Sequence, residues 1–330
     1  MKSDKKASGK AGQRAQAKEL LRLNLGKLSL KSPIVIASGT FGYGDEYLHV
    51  RGFSFDDIGA IALKGVTIRP RAGNPAPRIV ETTGGMLNSI GLSNIGVNAL
   101  IEEKLPMLQD LGTHIILNVG GDRPEDLIDA AKALSYYQNY FSAIEVNVSC
   151  PNLDGTPIGQ NTGTTARVVT SIRKLYRIPL IVKLVPNIAS IVEVAGVCER
   201  AGADILTIAN TFPGMAIDVF KRRPILGNNT GGLSGPAIKP LALLLVHRVY
   251  RAVSIPIIAS GGITCARDAM EFIIAGASAI SIGTALFYDA NVCKRITEGL
   301  VDFLNEDAKM NGLEQPRPLK DYVGTLVLNG

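Results

Sequence analysis

The chain has 330 residues, 46% of them hydrophobic, with 35 glycines and no Trp, which fits one large α/β domain or two smaller ones rich in tight turns. Its formal charge of +6 is misleading, because residues 1–22 hold seven Lys or Arg against Asp4 and Glu19, leaving 28 basic and 27 acidic side chains elsewhere. That near-neutral body excludes a broad cationic face and counts against nucleic acid as the main partner.

Residues 1–22 are rich in Lys, Ala, Gly and Gln, with almost no large apolar side chain before Leu20. Such a segment cannot bury enough surface to offset its ordering and is predicted to be a disordered basic tail. It lacks the apolar core of a secretory signal, and no later segment runs 18 apolar residues without interruption, so no membrane span is expected. Lys dominates the tail where transit peptides favour Arg and Ser, and the cytoplasm is the expected compartment. Four cysteines (Cys150, Cys198, Cys265, Cys293) lie far apart with no Cys-x-x-Cys pair, so neither a metal nor an iron–sulfur cluster is expected within this chain.

From residue 23 onward the pattern is regular. A short amphipathic hairpin (23–25 and 28–30) precedes eight apolar, β-branched runs at 34–37, 60–63, 115–119, 143–148, 180–184, 205–208, 255–259 and 279–282. Continuous apolar runs suit parallel strands covered on both faces. Helical patterns fall at 97–110, 124–138, 165–176, 189–201, 237–252, 266–275 and 290–304. Eight strands with intervening helices predict a (β/α)8 TIM barrel spanning 23–330. A doubly wound open sheet competes, but it calls for an early Gly-rich fingerprint, and the first strand runs instead into Ser38-Gly39-Thr40-Phe41-Gly42. Two connections are unusually long, 64–113 and 210–236, and both leave C-terminal strand ends, where barrel enzymes keep their active sites.

The chemistry converges on those strand ends. Asn147-Val148-Ser149-Cys150-Pro151-Asn152 brings a thiol and two amides to one rim, making Cys150 a candidate acid or base, although a free Cys is more often a small buried hydrophobe. The other ends supply Ser38, Gly39, Lys64, Asn118, Lys183, Asn210 and Thr211. A lysine closing an apolar strand is costly unless it meets an anion, though its ammonium can also reach solvent on its long stem. Gly261-Gly262 and Gly283-Thr284 end the last two strands, where a barrel commonly binds phosphate; alone, each is also a tight turn. A phosphate site beside amides and lysines suits FMN, with a lysine favouring the anionic reduced ring.

Glu145-Val-Asn-Val-Ser-Cys-Pro-Asn152 resembles the active-site strand of the class 1 dihydroorotate dehydrogenases. Matching stretches include Ala37-Ser-Gly-Thr-Phe-Gly42, Gly73-Asn-Pro-Ala-Pro-Arg78, Gly85-Met-Leu-Asn-Ser-Ile-Gly-Leu92 and Thr230-Gly-Gly-Leu-Ser-Gly-Pro-Ala-Ile-Lys-Pro240. The likeness covers about residues 23–305 and is strongest to the NAD-linked subclass. It implies oxidation of dihydroorotate to orotate in pyrimidine biosynthesis, with Cys150 removing the C5 proton while hydride leaves C6 for FMN. It implies substrate contacts from Lys64, Asn88, Ser89, Ile90, Gly91, Leu92, Asn147, Asn152, Asn210 and Thr211. For the flavin it implies Ser38, Lys64, Gly65, Asn118, Asn147, Lys183, Ala209, Gly235, Gly261, Gly262, Gly283 and Thr284. One departure is the loop Leu153-Asp-Gly-Thr-Pro-Ile-Gly159, where family members carry a Gly-Gly pair and then Phe-Gly.

The same resemblance implies a homodimer within a heterotetramer, whose second subunit carries FAD and an iron–sulfur cluster and passes electrons to NAD. Fumarate as direct acceptor is the alternative. A tRNA-dihydrouridine synthase is a more distant rival, disfavoured by the near-neutral body and by the short stretch after the last helix. A non-catalytic phosphate-binding barrel is the reading from outside enzymology.

Overall fold

Leu23–Leu25 (β1) and Leu28–Leu30 (β2) pair antiparallel and bury every leucine they contain. In the computed structural model, which describes residues 19–149, 158–186 and 190–329, this hairpin plugs the lower end of a barrel. Its leucines pack on Val35, Ala60, Ile116, Ala143, Ile181, Ile205, Ile258 and Ala279, which point inward from the barrel strands. Within the stretch that composition assigns to the tail, residues 19–21 form a helical turn, and Leu21 is buried in the core.

The chain then runs through Ile34–Ile36 (β3), Ala60–Ala62 (β4), Ile79–Thr82 (β5), Gly85–Asn88 (β6), His114–Val119 (β7), Ala143–Asn147 (β8), Leu180–Lys183 (β9) and Ile205–Ile208 (β10). Phe212–Gly214 (β11), Ile217–Asp218 (β12), Arg223–Pro224 (β13), Gly231–Ser234 (β14), Ile257–Ser260 (β15) and Ala279–Ile282 (β16) complete the strands. β3, β4, β7, β8, β9, β10, β15 and β16 close into a parallel barrel in chain order, as the eight apolar runs predict.

Side chains alternate along each strand. Ile144 and Val146 of β8, Leu180 and Val182 of β9, and Leu206 and Ile208 of β10 therefore face the helices and join the main core. The opposite face changes character with height. Leucines, isoleucines and alanines fill the bottom, whereas Asn118, Glu145, Lys183, Thr207 and Ser281 form a buried polar layer above them. Burying a large apolar side chain contributes about 1.5–3 kcal/mol, so the outward face holds the barrel together while the upper inward face is free to carry chemistry.

Two local departures have clear causes. The helix predicted over 97–110 is an α-turn at Gly96–Ala99, a π-turn at Leu100–Lys104 and a 3-10 segment at Leu105–Asp110. Pro106 lacks the N–H that regular α-helix needs, and Leu105 N instead reaches Leu100 O. The two long excursions are not plain loops. β5 and β6 from the first join β11 and β14 from the second in one antiparallel sheet, ordered β11-β14-β6-β5. Glycine makes the crossing possible, since a Cβ on Gly85 would strike the backbone of Ser234 and one on Gly232 would strike Thr211.

Candidate active site

A cavity of about 190 Å³ opens at the C-terminal ends of the barrel strands, beneath the sheet built from the two excursions. It brings together twelve of the predicted residues: Ser38, Asn88, Ile90, Lys183, Ala209, Asn210, Thr211, Gly235, Gly261, Gly262, Gly283 and Thr284. Lys64, Gly65, Asn118, Asn147, Ser89, Gly91 and Leu92 are not among the residues that line it. Cys150 and Asn152 lie outside the described residues.

One end of the cavity is glycine-rich for a steric reason. Gly235, Gly261 and Gly262 have φ of 93°, 137° and 74°, and a Cβ on each would come within 2.8 Å of a neighbour, respectively Gly85, Ala242 and Gly235. Thr284 Oγ1 donates to Ser234 Oγ at 2.8 Å and ties this end to β14. Behind it, Asp268 accepts from Thr264 N (2.9 Å), Thr264 Oγ1 (2.7 Å) and Cys265 N (3.2 Å), while Lys239 Nζ bridges Asp268 (2.8 Å) and Glu271 (2.9 Å). Burial pushes the Asp268 carboxyl up, but the hydrogen bonds from Lys239 and Thr264 outweigh it and hold the group at about 2.

The other end is floored by the polar layer. Asn118 Nδ2 donates to Glu145 Oε1 at 2.6 Å, and Thr207 Oγ1 donates to Glu145 Oε2 at 2.7 Å. Asn118 Oδ1 is buried with no hydrogen-bond partner and faces Gly65, whose missing Cβ would sit only 2.7 Å away. Asn147 Oδ1 accepts from Ser149 N at 3.1 Å and from Asn210 Nδ2 at 3.4 Å. Lys183 is 8% exposed and Lys64 half-buried, and neither forms an ion pair with a described residue. Two cations of this kind favour an anionic ligand.

Residues 88–92 form a shelf along the sheet side. Asn88 Nδ2 donates to Gly232 O at 3.2 Å. Asn74 holds the turn that follows: its Nδ2 donates to Ser89 Oγ (2.9 Å) and Ser89 O (3.3 Å), and its N to Ile90 O (3.1 Å). Arg78 Nε clamps Asn74 O at 2.6 Å. Gly91 and Leu92 have φ of 70° and 52°, a backbone that Gly adopts freely and Leu only under constraint.

Comparison with known proteins decides the family. The dihydroorotate dehydrogenase family model matches residues 20–304. The chain belongs to the dihydroorotate dehydrogenase family. It is 47% identical over 309 residues to the dihydroorotate dehydrogenase B (NAD(+)) catalytic subunit of Geotalea uraniireducens, covering 93% of this chain and 98% of that protein. The protein of the same name from Bacillus mycoides is 48% identical over 288 residues, covering 87% of this chain and 92% of its own length. In fold, the chain resembles the crystal structure of DHODH from Eimeria tenella in complex with ferulenol, with a TM-score of 0.78 at 23% identity, covering 94% of this chain and 89% of that one.

Within this family frame, several site residues escape a reading of strand ends alone. Glu145 and Thr207 sit one step below the rim, Ser234 and Asp268 behind the glycines, and Asn74 beneath the shelf. Glu145 had a detectable signal, since a carboxylate on the inward face of an apolar strand must find donors. Among the described residues no cluster of His, Cys, Asp and Glu is arranged to hold a metal ion, and no helix is long and apolar enough to cross a membrane.

Proposed function

We propose that the chain oxidises dihydroorotate to orotate on bound FMN, as the catalytic half of a two-subunit, NAD-linked enzyme. The observation that carries this reading is near-complete alignment, at 47% identity, with a protein named as the NAD-linked catalytic subunit. The site supports it independently. An unpartnered acceptor at Asn118, two lysines that form no ion pair with a described residue and a glycine-rich cavity end suit a ring with polar edges and a phosphate.

Bound FMN would supply the acceptor for the hydride that leaves C6 of the substrate. Everything else falls to the protein. Gly261, Gly262, Gly283 and Thr284 would hold the phosphate, while Ser38, Gly65, Asn118, Lys183, Ala209 and Gly235 would hold the rest of the cofactor. Lys64 and Asn147 would contact both ligands. Asn88, Ser89, Ile90, Gly91 and Leu92 would hold the substrate from the shelf, and Asn152, Asn210 and Thr211 from the barrel side. Cys150 would accept the C5 proton on its sulfur, so that proton and hydride leave adjacent carbons and the ring double bond forms. The rigidity of the shelf, fixed by Asn74 and Arg78, keeps the substrate's two reacting carbons oriented.

Anaerobic titration of the purified chain with dihydroorotate tests the reading: the flavin absorbance should bleach stoichiometrically. A chain that binds FMN but is not bleached by dihydroorotate overturns it. Reduction of NAD should need an added electron-transfer subunit bearing FAD and an iron–sulfur cluster. Efficient NAD reduction by the chain alone overturns the two-subunit part, and efficient turnover with fumarate replaces NAD as the acceptor.

A further inference from the structure

The mechanism leaves one buried charged group without a task. Glu145 is 3% exposed, inside the barrel, and forms no ion pair with a described residue. A carboxylate in such a place is costly unless its oxygens are satisfied, and both are, by the amide of Asn118 and the hydroxyl of Thr207. Removing Glu145 alone would strand the buried Asn118 amide and Thr207 hydroxyl, so its role has to be read through those two groups.

The consequence lies on the far side of Asn118. A carboxylate accepts hydrogen bonds and cannot donate them, whereas an amide has one donating and one accepting end. Opposite Glu145, the Asn118 side chain therefore has a single productive orientation, with its NH₂ on the carboxylate and Oδ1 turned away. Oδ1 is the buried oxygen that lacks a partner, and beside it lies the space that Gly65 leaves by having no Cβ. Leaving a buried acceptor unsatisfied costs about 1–3 kcal/mol. A donor supplied by a ligand would recover that cost.

We infer that Glu145 is a positioning residue: by fixing the amide of Asn118 with its oxygen outward, it makes this part of the site an acceptor that selects an imide-type N–H on the bound ring. This rests on the proposal that FMN occupies the cavity, since the flavin pyrimidine edge presents such an N–H. Glu145 touches neither ligand; it acts through Asn118. Thr207 holds the second carboxylate oxygen and keeps Glu145 from turning away.

The test uses the full-length apo-protein titrated with FMN, following quenching of flavin fluorescence, together with the ¹⁵N shift of FMN labelled at N3. Glu145→Leu removes the constraint and should weaken FMN binding by about 10–100-fold, the effect of leaving one buried polar group unpaired. The N3 signal should move toward that of a weaker hydrogen bond. Glu145→Gln can still offer an oxygen to Asn118 and should recover most of the affinity. If Glu145→Leu does not fold, an isosteric exchange carries the test. Asn118→Asp alone sets two carboxylates face to face and should weaken FMN binding, and adding Glu145→Gln should restore an outward oxygen and the affinity with it. Folded Glu145→Leu protein with affinity within twofold of wild type and an unmoved N3 signal overturns the inference, as does an exchange that recovers nothing. Wild-type protein that binds no FMN overturns the functional reading instead, so the two failures are distinguishable.

Discussion

Gly65 shows how one missing carbon can define a site. Its φ is not unusual, so backbone freedom does not require glycine here. What requires it is room, because a Cβ would stand 2.7 Å from the unpartnered Asn118 Oδ1. Gly65→Ala should therefore leave the fold intact while weakening FMN binding at least tenfold, measured by fluorescence titration beside an unchanged far-ultraviolet circular dichroism spectrum. Cys150, outside the described residues, is singled out by sequence because a thiol between two asparagines after an apolar run is unusual chemistry. Cys150→Ala should slow flavin reduction by dihydroorotate roughly 10²–10⁴-fold, the usual worth of a general base, as read by stopped-flow bleaching. Glu145 was visible in the same motif but had no assignable task from sequence. Its meaning depends on which side chains the neighbouring strands place beside it, and strand register is set by the closed barrel.

At the scale of elements, the loop after β15 depends on a carboxylate that the sequence does not single out. Asp268 gathers Thr264, Cys265 and Lys239 into one knot behind Gly261 and Gly262. Asp268→Ala strands these donors and should lower stability by about 1–3 kcal/mol, read from the denaturant midpoint, with FMN binding weakened in parallel. The pH dependence has a definite sign. Because the folded-state group is held at about 2, below the ordinary 3.8, its contribution is fully present above pH 3.8 and is lost as the pH falls toward 2. Asp268→Asn should therefore flatten acid unfolding across that window. The barrel strands and most helices were legible because their apolar periods are strong. The sheet over the mouth was not, since its strands are short and rich in glycine, and glycine is there for backbone contact between segments distant in sequence rather than for strand propensity.

The whole molecule is polarised along the barrel axis. Below, the β1–β2 hairpin seals the end with leucines; above, the lining turns polar and opens. Leu25 is fully buried in that plug, and Leu25→Ala should cost about 2–5 kcal/mol, seen as a lower thermal midpoint, while leaving the dihydroorotate affinity of the folded protein unchanged.

The pairing of β6 with β14 has a consequence for biosynthesis. Asn88 is fastened to Gly232 across 144 positions of chain, so the shelf at 88–92 is stapled by a segment that leaves the ribosome long after the shelf itself. A nascent or truncated polypeptide ending before β14 would expose half a sheet with an unsatisfied edge and no finished cover over the cavity. Orotate or FMN added during translation should thus protect the polypeptide from proteolysis only once residues 231–234 have emerged.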